Sequence, residues 1–223
     1  MARHFQLEIE KLKKKILHLS AMVEESLLMA VRSATERNSG MARDVIDADE
    51  EIDRMEVEVE EDCLKILALY QPVAIDLRFI IAVLKINNDL ERIGDEATNI
   101  AKRTTALARW DNRDIPFDLA AMLRQAVTMV KRSADALIMM DPVIAREVLL
   151  SDDEMDARHR QTYDTIQNQI AEQPEMTRYF ISLLSISKSL ERIADHATNI
   201  AEDVIYMVDG EIVRHKDLDV SEE

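Results

Sequence analysis

The sequence predicts an all-α protein made of two tandem three-helix bundles related by a pseudo-two-fold. Three observations carry this. The 223 residues hold only three Gly and four Pro, where average usage of roughly 7% and 5% would give about 16 and about 11. Turn-rich folds need those residues, so the shortage argues against a β-sandwich, a barrel or a Rossmann-like chain. Apolar residues recur at spacings of three and four, which is helical. And the chain repeats itself: residues 89–101 read DLERIGDEATNIA and residues 189–201 read SLERIADHATNIA, with ten of thirteen positions identical.

Six helices follow in order. The first is expected over 3–37 on the stripe Leu12, Ile16, Leu19, Val23 and Leu27, and Arg37-Asn38-Ser39-Gly40 stops it. The second, 41–70, carries Val45, Ile52, Met55, Val59 and Ile66 and ends at Gln71-Pro72. The third, 73–108, buries Ile86, Leu90, Ile93, Ala97 and Ile100, and Arg113-Asp114-Ile115-Pro116 is a loop after it. The fourth spans 117–140. Asp141-Pro142 is a sharp turn in which Pro opens the fifth helix, 143–171, at N1. Gln173-Pro174 precedes the sixth, 175–208. The repeat extends upstream, where Arg78, Ile81, Leu84 and Ile86 match Arg178, Ile181, Leu184 and Ile186. Further back, Ala48-Asp49-Glu50-Glu51-Ile52-Asp53 resembles Ser151-Asp152-Asp153-Glu154-Met155-Asp156, now at an offset of 103. Residues 1–110 are thus read as the first repeat, 117–210 as the second, and 211–223 as an acidic C-terminal tail.

The core must be aliphatic, because 47% of residues are hydrophobic and only 4% aromatic. A net charge of −16 disfavours nucleic acid as the main partner, since phosphate backbones need a basic face. The one cysteine, Cys63, excludes an intrachain disulfide framework and a thiolate zinc site, and reads as a small core residue. No apolar run approaches the ~18 residues of a membrane span, and the N-terminus has no apolar signal core. A cytoplasmic location is therefore expected.

On the third helix, with Ile93 at 0°, Glu91, Asp95 and Asn99 fall at roughly 160°, −160° and −120°, away from the core face. Glu191, Asp195 and Asn199 repeat the stripe on the sixth helix. A solvated face is the ordinary reading of such carboxylates. Against it, like charges at i,i+4 repel, both copies keep the same residue types, and neighbouring helices add Asp49/Asp53 and Asp152/Asp156 at the same spacing. Asp is also a poor residue for a helix interior. If these pairs converge, the oxygen-rich cluster suits Mg²⁺, Ca²⁺, Mn²⁺ or iron. None of the five His follows Glu by three residues, so the Glu-x-x-His pattern of di-iron bundles is missing. His196 reads as a surface residue. Arg78 and Arg178 read as helix-flank arginines or as ion-pair partners that fix register. Gly94, matched by Ala194, marks a small-residue position.

The paired L-E-R-I-x-D…N-I-A segments at 90–101 and 190–201, the D-x-x-x-D pairs and Gln71-Pro72-Val73-Ala74-Ile75-Asp76-Leu77-Arg78 together resemble the PhoU family of phosphate-specific transport accessory proteins. The resemblance spans nearly the whole chain, from Arg3 to His215. It implies a non-enzymatic, cytoplasmic negative regulator of phosphate uptake and of the phosphate-starvation response. Such a regulator links the ATPase subunit of a Pst-type phosphate ABC transporter to a PhoR-type sensor histidine kinase. It would reach the membrane only through those partners. The resemblance also implies two three-helix bundles, a homodimer or higher oligomer, and metal ions on the acidic motifs, with iron, manganese, magnesium or zinc as candidates. The metal residues carried over are Glu91, Asp95, Asn99, Glu191, Asp195 and Asn199, with Asp49, Asp53, Asp152 and Asp156 as partners. A carboxylate-bundle metalloenzyme and a purely structural helical protein are the alternatives.

Overall fold

The computed structural model describes residues 2–110, 113–210 and 212–213. The tail read over 211–223 lies outside them apart from Ile212 and Val213. The described residues form α1 (Ala2–Glu36), α2 (Ser39–Tyr70), α3 (Ala74–Leu107), α4 (Leu119–Met139), α5 (Pro142–Leu150), α6 (Asp152–Glu172), a short 3₁₀ turn (Pro174–Met176) and α7 (Thr177–Asp209). The first repeat is α1, α2 and α3. The second is α4, the α5–α6 arm and α7.

The apolar stripes pack as their spacing requires. Leu12, Ile16, Leu19, Val23 and Leu27 on α1 and Ile86, Leu90, Ile93, Ala97 and Ile100 on α3 are all buried. Each large aliphatic side chain so buried contributes about 1.5–3 kcal/mol. Cys63 is fully buried among them.

Side chains set the boundaries. Arg37 turns left-handed at φ 51, and Asn38 then caps α2, accepting from the Gly40 and Met41 amides at 2.9 and 3.2 Å. Gly40 therefore sits inside the first turn of α2 and is not part of the stop. Asp141 caps α5 ahead of Pro142, accepting from the Val143 amide at 2.8 Å. Pro174 opens a 3₁₀ turn ahead of α7 rather than the helix itself.

The expected fifth helix divides at Ser151. The Ser151 hydroxyl donates to the Glu147 carbonyl at 2.9 Å, and the Ser151 carbonyl accepts from the Gln125 side chain on α4 at 3.0 Å. Both bonds compete with the helical ladder at this point.

The two repeats meet along α3 and α7. Lys85 pairs with Asp203, Asp89 with Asn199, and Glu96 with Arg192. Residue numbers rise on one helix as they fall on the other, so the two run antiparallel. The linker between the repeats is pinned to both. The Arg37 guanidinium donates to the carbonyls of Trp110 and Arg113, and the Tyr179 hydroxyl donates to the carbonyls of Arg113 and Asp114.

Candidate metal centres

In the second repeat, carboxylate oxygens of Asp156 on α6 and of Glu191 and Asp195 on α7 lie within 4.8 Å of one another. Asp152, one turn before Asp156 on α6, is not one of the three but feels their charge. Burial, with Asp195 and Asp156 next, pushes its carboxyl up to about 6. Partial desolvation, then Glu191 and Asp156, also raises Asp195. The Lys188 ammonium bonds both Glu191 oxygens, at 2.7 and 2.6 Å.

In the first repeat the counterparts Asp49, Asp53, Glu91 and Asp95 face one another between α2 and α3, but among the described residues no three of them gather as tightly as the second-repeat group. Burial raises the Asp49 carboxyl, and Asp53 and Asp95 add to it. Burial likewise raises Glu91, with Asp95 next and Asp53 contributing. Arg92 spans this pair, 3.3 Å from Glu91 and 3.1 Å from Asp95. Gly94 permits the close approach of the two helices. A Cβ there would sit 3.3 Å from Ile52 Cγ2 and 3.7 Å from Asp49 Oδ1.

The residues fit a hard cation. All the donors are carboxylate oxygens, the ligand set that Mg²⁺, Mn²⁺ and similar ions prefer. In each repeat one buried oxygen of the α2 or α6 aspartate, Oδ1 of Asp49 and Oδ1 of Asp152, makes no well-formed hydrogen bond, although the Thr98 hydroxyl stands near Asp49. A buried acceptor left in this way costs about 1–3 kcal/mol, which a bound cation would recover.

The asparagines take a different place. The Asn199 side chain donates to Asp89 at 3.1 Å, and the Asn99 side chain donates to Glu96 at 3.3 Å. Both amides therefore serve the α3–α7 seam. His196 is not on the surface, as its own helix suggested. It is half-buried there, with Nδ1 2.8 Å from Asp89 Oδ1.

Sequence reasoning passed over one further pair. Asn87 donates to the Glu56 carbonyl and carboxylate, both at 2.9 Å, and Ser187 lies 2.8 Å from His159 Nδ1. Asn87 and Ser187 are repeat counterparts, as are Glu56 and His159 at the offset of 103. Burial raises Glu56 and lowers His159. The signal was present, because Glu56 follows Asp53 by three and so shares its helix face.

Together these features define a two-repeat helical protein with facing carboxylates in each repeat, drawn into a tight cluster in the second. The chain belongs to the PhoU family: residues 16–104 and 119–204 match the PhoU domain. The phosphate-specific transport system accessory protein PhoU homolog of Pseudomonas putida is 36% identical over 98% of this chain and 86% of its own length. The homolog of Aquifex aeolicus is 36% identical over 94% of this chain and 95% of its own. The crystal structure of PhoU from Pseudomonas aeruginosa superposes with a TM-score of 0.90 at 34% identity, over 93% of this chain and all of that one. The phosphate transport system regulatory protein PhoU of Streptococcus pneumoniae gives 0.83 at 28% identity, over 94% and 99%.

Proposed function

We propose that this chain is a cytoplasmic accessory and negative regulator of phosphate uptake. It acts as a homodimeric adaptor between the ATPase subunit of a phosphate ABC transporter and a sensor histidine kinase. Its acidic clusters hold metal ions. The observation that carries the metal part is the tight Asp156, Glu191 and Asp195 group of the second repeat, with a buried oxygen lacking a well-formed hydrogen bond at the matching aspartates Asp49 and Asp152. Glu91, Asp95, Asp49 and Asp53 would hold one site, and Glu191, Asp195, Asp152 and Asp156 the other. A bound cation would supply positive charge and tie α2 to α3 and α6 to α7, while Lys188 and Arg92 swing away.

The adaptor reading is supported by the kinship with accessory proteins of phosphate transport and by exposed apolar side chains around the α2–α3 turn. Leu69, Val73 and Ile75 are 71%, 74% and 69% exposed. Among the described residues no helix is long and apolar enough to cross a membrane, so contact with a transporter would run through protein docking.

Tagged protein recovered from phosphate-replete cells should bring down the transporter ATPase and a sensor kinase. Recovery of neither would overturn the adaptor role. Light scattering tests the dimer against the 25.6 kDa of a single chain. Melting in chelator, Mg²⁺, Mn²⁺, iron or zinc tests the metals, and a melting temperature the same in all would remove them from the proposal.

A further inference from the structure

The pseudo-two-fold places two equivalent cavities at opposite ends of the α3–α7 crossing. One, of about 130 Å³, is lined by Ile81, Lys85, Asp203 and Tyr206, among others. The other, of about 430 Å³, is lined by Arg103, Ala106, Arg109, Trp110, Arg178 and Ile181. At the offset of 100, Ile81, Asp203 and Tyr206 of the one correspond to Ile181, Arg103 and Ala106 of the other, and the charge inverts at two positions. Arg103 stands where the second copy has Asp203, Arg109 where it has Asp209, Ala106 where it has Tyr206, and Trp110 where it has Gly210.

Acidic and basic groups are paired in and around the small cavity. Lys85 pairs with Asp203 at 3.2 Å and lies over the Tyr206 ring, and Asp209 pairs with Arg146 at 2.9 Å. Arg78 is docked on Gly210, a left-handed residue at φ 75 where any Cβ would collide with the guanidinium. None of these devices exists in the large cavity. Trp110 occupies the place of the glycine, so Arg178 has no such seat. Among the described residues, the exposed guanidinium groups of Arg103, Arg109 and Arg178 make no ion pair and no hydrogen bond, in a chain of net charge −16. A helix C-terminus favours cations in general, yet the equivalent end of α7 carries aspartates. The end of the helix does not account for the arginines.

We propose that this cavity binds a phosphate-bearing small molecule of two or more negative charges. Guanidinium groups match phosphate oxygens two at a time, and three of them exceed what one carboxylate can balance. Trp110, Ala106 and Ile181 give an apolar wall for the remainder of the ligand. The volume falls in the range of small-molecule sites. The Trp110 carbonyl accepts from the Arg37 guanidinium at 3.1 Å, and its ring lies 6.1 Å from that of Tyr179, which anchors it beside the cavity. This site is separate from the carboxylate clusters and does not depend on them.

Trp110 is the only tryptophan of the chain, so its fluorescence reports on the cavity directly. The full chain in EDTA is titrated with ATP, pyrophosphate, inorganic phosphate and a polyglutamate peptide, by fluorescence and calorimetry. ATP or pyrophosphate should bind and change the emission. Arg178→Gln, and separately Arg103→Asp, which copies the other repeat, should each weaken binding at least tenfold. Lys85→Gln, in the small cavity, should leave it within twofold. ATP binding tenfold tighter than pyrophosphate identifies an organic phosphate as the ligand, and equal binding an inorganic one. The proposal fails if none of the phosphates binds at millimolar concentration. It also fails if the arginine variants bind as well as the parent, or if the peptide binds most tightly. Circular dichroism of each variant confirms that a loss is not unfolding.

Discussion

Asp89 on α3 holds two side chains of α7 at once: its Oδ1 is 2.8 Å from His196 Nδ1 and 3.1 Å from Asn199 Nδ2. Asp89 is buried, and its carboxylate accepts from the Asn199 amide. The repeat counterpart of Asp89 is Ser189, so this clasp exists on one side of the crossing only. Asp89→Ala should cost about 1–3 kcal/mol, because His196 and Asn199 both lose their partner in a half-buried seam. Urea unfolding measures it. A loss below about 0.5 kcal/mol would mean that water replaces the carboxylate without cost.

The carboxylate clusters make stability depend on pH. Asp152 is held at about 6 when folded, against its ordinary 3.8. The folded state thus keeps its proton where the unfolded state has lost it. Its contribution is fully present below about 4 and is lost as pH rises to about 6. The difference is worth at most about 3 kcal/mol, trimmed by partial exposure to about 1–2. Asp152→Asn, measured in chelator, should flatten the decline between pH 4 and 6 and leave the protein about 1–2 kcal/mol more stable at pH 7. The same variant should lose most of the gain that Mn²⁺ gives the parent in that repeat. An unaltered slope would show that Asp152 does not titrate in that window.

The stripes and the repeat were legible because both depend on spacing along one chain. Ile16, Ile93 and their neighbours are buried as their periodicity required. The carboxylate pairs were legible because the chain writes them twice. What escaped depended on distant partners. The break at Ser151 leaves its φ and ψ helical, at −85° and −11°, so no local signal marks it; Gln125 of α4 supplies the competing bond. His196 looked exposed from its own helix, but its partner Asp89 lies 107 residues earlier. The unequal fates of Arg78 and Arg178 turn on Gly210 and Trp110, at the far ends of the two long helices.

Met140 ends α4 in a left-handed conformation, at φ 52 and ψ 45. An L side chain pays about 1–2 kcal/mol for that backbone, whereas the equivalent device at the end of α7 is a glycine, Gly210. Met140 is 40% exposed, so the packing lost on its removal offsets only part of that strain. Met140→Gly should gain about 1 kcal/mol after the greater freedom of the unfolded chain is counted. A thermal melt should shift upward by about 2–4 °C. A downward shift would show that the methionine side chain holds the turn.

The apolar residues at the α2–α3 turn separate docking from folding. Val73 and Ile75 are 74% and 69% exposed, so Val73→Ser together with Ile75→Ser removes little buried surface. Such changes stay within about 0.5 kcal/mol of the parent. Val73 is the cap residue of α3 but makes no side-chain capping bond, and serine can supply one. The double variant should therefore melt at or slightly above the parent temperature. If the turn is where the transporter or the kinase docks, recovery of that partner should fall at least tenfold with the fold intact. Undiminished recovery of both partners would place the docking surface elsewhere on the molecule.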